Sequence, residues 1–176
     1  MILFPNAKIN LGLNIIRKRP DGYHDLETVY YPLAIRDVLE VIKNENTKED
    51  IQISFSGIPI NGKTEENLCF KAYWLLKKDL PQLPPIMIHL HKTIPAGSGL
   101  GGGSADGAFM LKLLNQKFGL GLSTEQLLDH ALQLGSDCPF LSSINLVMQP
   151  AGENFWSLYR LIFRDISLSL PIPAFM

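Results

Sequence analysis

From Ala7 to Ile15 apolar and polar positions alternate without a break, with Ala7, Ile9, Leu11, Leu13 and Ile15 on one side and Lys8, Asn10, Gly12 and Asn14 on the other. A period of two predicts a strand with one face on a core, and here the opposite face carries a lysine and two asparagines. The strand runs into Arg17-Lys18-Arg19-Pro20-Asp21-Gly22, whose proline and Asp-Gly step turn the chain back before Tyr23 and His24. Leu26 to Leu33, Asp37 to Lys43 and Ile51 to Phe55 read as further strands, which makes the first third β-rich. Thr64 as a cap, Glu65 and Glu66 in a first turn and Lys77 and Lys78 in a last one predict a helix whose ends suit its dipole, closed by Pro81, Pro84 and Pro85. Ile86 to Leu90 reads as a strand and Ser104 to Phe118 as a helix. Ser123-Thr124-Glu125-Gln126 is a capping box that opens another helix ending at Gly135.

Composition narrows what such a chain can do. Its 176 residues, 46% hydrophobic and 19% charged, suffice for the core of one domain and carry too little charge for intrinsic disorder. A net charge of −1 and a pI near 6.4 provide no field that would gather nucleic acid or an anionic membrane, so neither is expected as a partner and any bound anion needs a local site. Cys69 and Cys138 form no CxxC pair, and read as two reduced, mostly buried thiols. No apolar run approaches the ~18 to 20 residues of a membrane span, and Met1 to Pro5 lacks the features of a signal peptide; the expected location is cytoplasmic.

The stretch that can carry chemistry is Pro95-Ala96-Gly97-Ser98-Gly99-Leu100-Gly101-Gly102-Gly103-Ser104-Ala105. Five of the 14 glycines fall within its seven positions 97 to 103, between a strand and a helix. A backbone without Cβ atoms can turn several N–H groups toward one ligand, and the following helix adds its positive end, so the loop suits a polyphosphate. It is not a Walker A loop, because Gly103-Ser104 lacks the lysine. Gly97 to Gly102 matches G-x-G-x-x-G, yet position 122 is leucine where a dinucleotide fold has an acidic residue, and a second helix follows where that fold has a strand. His89 and His91, two apart on a strand, imitate a metal pair; with no third ligand in sequence they read as ordinary strand residues, and no metal ligand is assigned.

The glycine loop, taken with Pro5-Asn6-Ala7-Lys8-Ile9-Asn10-Leu11 and Leu134-Gly135-Ser136-Asp137-Cys138-Pro139, resembles the GHMP small-molecule kinases. The runs Lys8 to Leu13 and Arg19 to His24 resemble the branch that phosphorylates a cytidine diphosphate sugar alcohol in the non-mevalonate route to isoprenoid precursors. The resemblance implies an α+β, two-layer fold with a left-handed βαβ crossover, ATP as phosphate donor, and Mg²⁺ held mainly by phosphates and waters. It implies that Asp137 takes the hydroxyl proton and that Lys8 holds the hydroxyl and the developing charge. Pro95 through Ala105 would cradle the ATP phosphates, while Asn67, Leu68 and Lys92 match positions that line the nucleotide base. Asn10, two residues from Lys8 on the same strand face, would meet the substrate. Tyr23 and His24 match the pair that meets the cytosine, by stacking and hydrogen bonding.

The pattern carrying this resemblance runs to about Phe140. Of the 33 charged residues, only Glu153, Arg160, Arg164 and Asp165 lie beyond position 137. The expectation is therefore a kinase N-terminal ATP-binding domain over 1–140, with a non-matching tail over 141–176 standing in place of the family's second domain. Activity impaired by that truncation is expected, with oligomeric state left open. Two alternatives stay open at this point, a non-catalytic nucleotide-binding fragment and another GHMP kinase of the mevalonate or homoserine type.

Overall fold

The computed structural model describes residues 1–18, 20, 24–45 and 49–147. Its elements are strands β1 (Ile2–Leu3), β2 (Asn6–Lys18), β3 (His24–Arg36), β4 (Val38–Lys43), β5 (Ile51–Gly57) and β6 (Ile86–Lys92), and helices α1 (Leu68–Asp79), α2 (Gly102–Phe118), α3 (Thr124–Leu134) and α4 (Cys138–Val147). A four-stranded sheet has the order β1-β4-β6-β5, antiparallel except for the β5/β6 pair, which α1 joins in parallel. The buried side chains Leu39, Val41, Ile86, Ile88 and Leu90 share one core with Cys69, Ala72, Tyr73 and Leu76 of α1 and Ala105, Phe109 and Leu113 of α2. This is the two-layer arrangement that an alternating sheet and amphipathic helices dictate. Both cysteines are free and buried in that core, and burial pushes the Cys138 thiol up to about 11 and the Cys69 thiol well above its ordinary value.

β2 and β3 form a separate antiparallel ribbon with irregular steps between Asn6 and Lys8, Leu11 and Leu13, and Ile15 and Arg17. Here the expected apolar face fails. Ala7 is buried, yet Leu11, Leu13 and Ile15 are 52%, 57% and 60% exposed, whereas Lys8 on the polar face is 5% exposed. Among the described residues the ribbon meets the rest of the molecule at its root, so alternation there marks a strand without marking what covers it.

Two helix starts also move. Thr64 to Glu66 form a 3₁₀ turn, and α1 begins after Asn67, whose side chain caps it by accepting from the Cys69 amide at 2.8 Å. α2 begins at Gly102, two residues before the expected Ser104. The capping box at Ser123 and Gln126 is formed in both directions. The expected boundary at residue 140 falls inside α4, where Phe140 and Leu141 belong to the core. Most of the 141–176 tail, from residue 148 on, lies outside the described residues.

Candidate active site

Three segments remote in sequence meet at the root of the ribbon. Lys8 leaves β2 on the polar face, and its Nζ lies 3.1 Å from Asp137 Oδ2 and donates to Asn10 Oδ1 at 2.6 Å. Asn10 is held in turn, donating to Thr28 Oγ1 at 2.9 Å while that hydroxyl donates to the Gly12 carbonyl at 2.7 Å. Asp137 immediately precedes α4, whose positive end favours a carboxylate there. The Lys8 side chain is 6% exposed and that of Asp137 27%, so the cation is enclosed and the carboxylate keeps an open side.

A residue absent from the expected set completes this cluster. Tyr30, opposite Asn10 on β3, donates its hydroxyl to Asp137 Oδ1 at 2.9 Å. Its ring lies 4.8 Å from Lys8 Nζ and stacks on Phe140 with centroids 4.8 Å apart. One side chain thus orients the carboxylate, faces the ammonium and is itself fixed by packing.

The glycine loop joins the cluster through its backbone. The Lys8 amide donates to the Leu100 carbonyl at 2.8 Å. Gly101 adopts φ +71°, and a Cβ there would stand 3.0 Å from Lys8 Cγ and Cε, so only glycine lets the loop approach the lysine this closely. No side chain caps α2 at Gly101, and Pro95 to Gly99 are exposed. Ser98 steadies the turn by donating to the Pro95 carbonyl at 2.8 Å. An uncapped helix end under an open glycine backbone is an anion cradle beside a lysine and a carboxylate.

Lys92 has a different environment from the one expected. It is 3% exposed, and its ammonium donates to both Asp37 Oδ2 and Asp106 Oδ2, the latter at 2.6 Å. Asp37 also accepts from the Thr93 and Ile94 amides at 2.6 and 2.9 Å, which pins the entrance of the glycine loop. Burial alone would lower the Lys92 ammonium, but the two carboxylates outweigh it and hold it above its ordinary value. Burial raises the Asp106 carboxyl to about 7 against the opposing pull of Lys92. Within the described structure Lys92 anchors the loop, with its charge spent on carboxylates. Asn67 uses its side-chain oxygen as a helix cap, and Leu68 packs partly buried against the core. His24 opens β3 opposite Lys18. Tyr23 lies outside the described residues.

Comparison with known proteins agrees with this geometry. Residues 67–142, which hold the glycine loop and Asp137, match the family described as the GHMP kinases N terminal domain. Over that segment the chain is similar to the GHMP kinases. A 4-diphosphocytidyl-2-C-methyl-D-erythritol kinase of Bacteroides fragilis is 58% identical over 173 residues, 98% of this chain and 63% of the relative. The kinase of the same name from Parabacteroides distasonis is 46% identical over 98% of this chain and 62% of the relative. Both alignments extend into residues 141–176, beyond the point where the expected family pattern stops. A solved structure of 4-(cytidine 5'-diphospho)-2C-methyl-D-erythritol kinase superposes with a TM-score of 0.65 at 35% identity, over 80% of this chain and 48% of that one. A mevalonate kinase, 15% identical with a TM-score of 0.57, shares the fold. The chain thus spans less than two thirds of the length of these curated relatives.

Proposed function

We propose that this chain supplies the ATP-binding half of a kinase that phosphorylates a hydroxyl of 4-diphosphocytidyl-2-C-methyl-D-erythritol, with residues 1–140 as its N-terminal domain. The observation that carries the reading is the 3.1 Å pair of Lys8 and Asp137 beside the glycine loop, whose Leu100 carbonyl is bonded to the Lys8 amide. Phosphoryl transfer asks for positioning and charge stabilisation more than for covalent chemistry, and this arrangement offers both. The open backbone from Gly97 to Gly103 and the uncapped end of α2 fit the phosphates of ATP, which brings the transferable phosphoryl group and its Mg²⁺. Asp137, with both oxygens already oriented by Lys8 and Tyr30, accepts the proton of the attacking hydroxyl. Lys8 and Asn10 orient that hydroxyl, and the ammonium stabilises the charge that develops in transfer. Tyr23 and His24, the latter opening β3, are assigned to the cytosine. Support for this substrate comes from the names of the relatives.

The test is phosphate transfer from labelled ATP to the cytidylated sugar alcohol. The expected result is turnover that falls by ~10² to 10⁴-fold in Asp137→Asn, with ATP binding kept. ATP binding without turnover in the unsubstituted chain would assign it to nucleotide binding alone, and absence of ATP binding would refute the reading.

A further inference from the structure

The outer face of the four-stranded sheet carries a chain of polar side chains that phosphoryl transfer does not use. His89 and His91 stand two apart on β6, a strand paired on both sides, and Ser54 and Ser56 are their register partners on β5. The sequence shows no third donor near these histidines, but the parallel pairing supplies one. Ser56 Oγ lies 2.9 Å from His89 Nε2 and 2.9 Å from His91 Nδ1, so two imidazole nitrogens converge on one oxygen.

Proton counting assigns the tautomer of His89. Ser54 donates to the Ile88 carbonyl at 3.2 Å, which leaves its oxygen to accept from His89 Nδ1 at 2.8 Å. His89 Nε2 then carries the lone pair and turns it toward Ser56. A ring that donates through one nitrogen and presents the other is the arrangement that orients metal-bound imidazoles. Ser56 has one proton and gives it to His89 Nε2, so in the metal-free chain His91 Nδ1 donates to Ser56 Oγ, and a metal ion gains both nitrogens once His91 carries its proton on Nε2 instead. Glu40, the register partner of His89 on β4, adds a negative charge to this face.

We propose that His89 Nε2, His91 Nδ1 and Ser56 Oγ form a site for a divalent transition metal that prefers imidazole ligands, such as Cu²⁺ or Zn²⁺. Among the described residues no group of three or more His, Cys, Asp or Glu is arranged for a metal. The donor set is therefore two imidazoles and a hydroxyl, with water completing the coordination. Such a set selects Cu²⁺ over Zn²⁺ and both over Mg²⁺, whose oxygen-rich octahedron it cannot build.

Titration of the whole chain with Cu²⁺ and Zn²⁺ by calorimetry tests this, with electron paramagnetic resonance of the Cu²⁺ form. The expected result is one ion per chain, bound more tightly for Cu²⁺, with a spectrum that shows imidazole nitrogen coupling. His89→Ala and His91→Ala should each abolish that stoichiometric binding. Ser54→Ala, which removes the partner of His89 Nδ1 together with the bond to the Ile88 carbonyl, should weaken it on the order of 10-fold. Far-UV circular dichroism establishes that each variant is folded, and no readout depends on ATP turnover. Absence of binding, or binding that both histidine substitutions leave unchanged in folded protein, overturns the proposal.

Discussion

Two buried lysines flank the glycine loop, and each faces aspartate, yet their surroundings differ in the respect that decides function. Lys92 meets two carboxylates, Asp37 and Asp106, whose side chains are 0% and 3% exposed. Lys8 meets one carboxylate that remains 27% exposed, and shares its ammonium with an amide oxygen and an aromatic face. The first centre spends the Lys92 charge on its own carboxylates and fixes Thr93 and Ile94 at the loop entrance. The second keeps an accessible carboxylate and a cation not fully neutralised, which is what a reacting phosphate and hydroxyl require. Burial of a charge is thus no sign of function by itself; the number of partners and the open side decide it.

Substitution by methionine at each lysine breaks this contrast most directly. Lys92→Met leaves two carboxylates facing each other in the core, and the expected loss is about 3–5 kcal/mol of stability, enough to unfold a marginal domain. Lys8→Met leaves Asp137 able to reach water and to keep its Tyr30 bond, so the expected stability change is within about 1 kcal/mol. Phosphate transfer, by contrast, should be lost in Lys8→Met although the chain still folds. Urea unfolding of both variants measures the difference, and equal losses would remove the distinction between the centres.

The buried centre should also leave a mark on pH dependence. Asp106 has its carboxyl raised to about 7 in the fold, first by burial, from an ordinary value of 3.8. Between those values the native state holds this proton more firmly than the unfolded chain does, so stability falls as pH rises through the window, by at most about 4 kcal/mol. The raised Lys92 ammonium acts in the same direction but only above its ordinary value of 10.5, where its stabilisation is lost as pH rises through the folded value. Asp106→Asn keeps an oxygen for Lys92 without the charge, and should flatten the decline between about pH 4 and pH 7 in denaturant titrations. A slope identical to that of the unsubstituted chain would mean that other groups set it.

Local rules made part of this molecule legible in the sequence. The capping box at Ser123, the antiparallel pairing of β2 with β3 and the strand-loop-helix frame of the glycine loop each rest on residues a few positions apart, and each is formed. What escaped depended on distance along the chain. Lys92 matches a base-lining position by resemblance, whereas its two carboxylate partners stand 55 and 14 residues away and nothing local marks Asp37 or Asp106 as buried. Tyr30 went unnoticed beside Tyr31 because its bond to Asp137 spans 107 residues. The alternation of Leu11, Leu13 and Ile15 predicts a core face and yields an exposed one, because a period of two reports a strand, whereas burial requires a neighbouring layer that these side chains do not meet among the described residues. At the start of α2, two glycines of low helix propensity hid the first turn, although Gly102 is tightly packed: a Cβ there would stand 2.7 Å from Ile94 Cγ2.

The smallest effect expected at the open centre belongs to Tyr30, and it separates the tyrosine's two roles. Tyr30→Phe keeps the ring that stacks on Phe140 and faces Lys8, and removes only the 2.9 Å bond to Asp137 Oδ1. The fold should survive with little change, since the partner oxygen can bond water on its open side. A hydrogen bond to a charged group contributes about 1.5–3 kcal/mol, part of which water restores, so kcat should fall by roughly 10-fold while KM for ATP stays constant. Tyr30→Leu, which also removes the aromatic face, should lower kcat further and cost stability through the lost packing against Phe140. A phenylalanine variant with unchanged kcat would confine Tyr30 to packing, and Asp137 would then owe its orientation to Lys8 and the end of α4 alone.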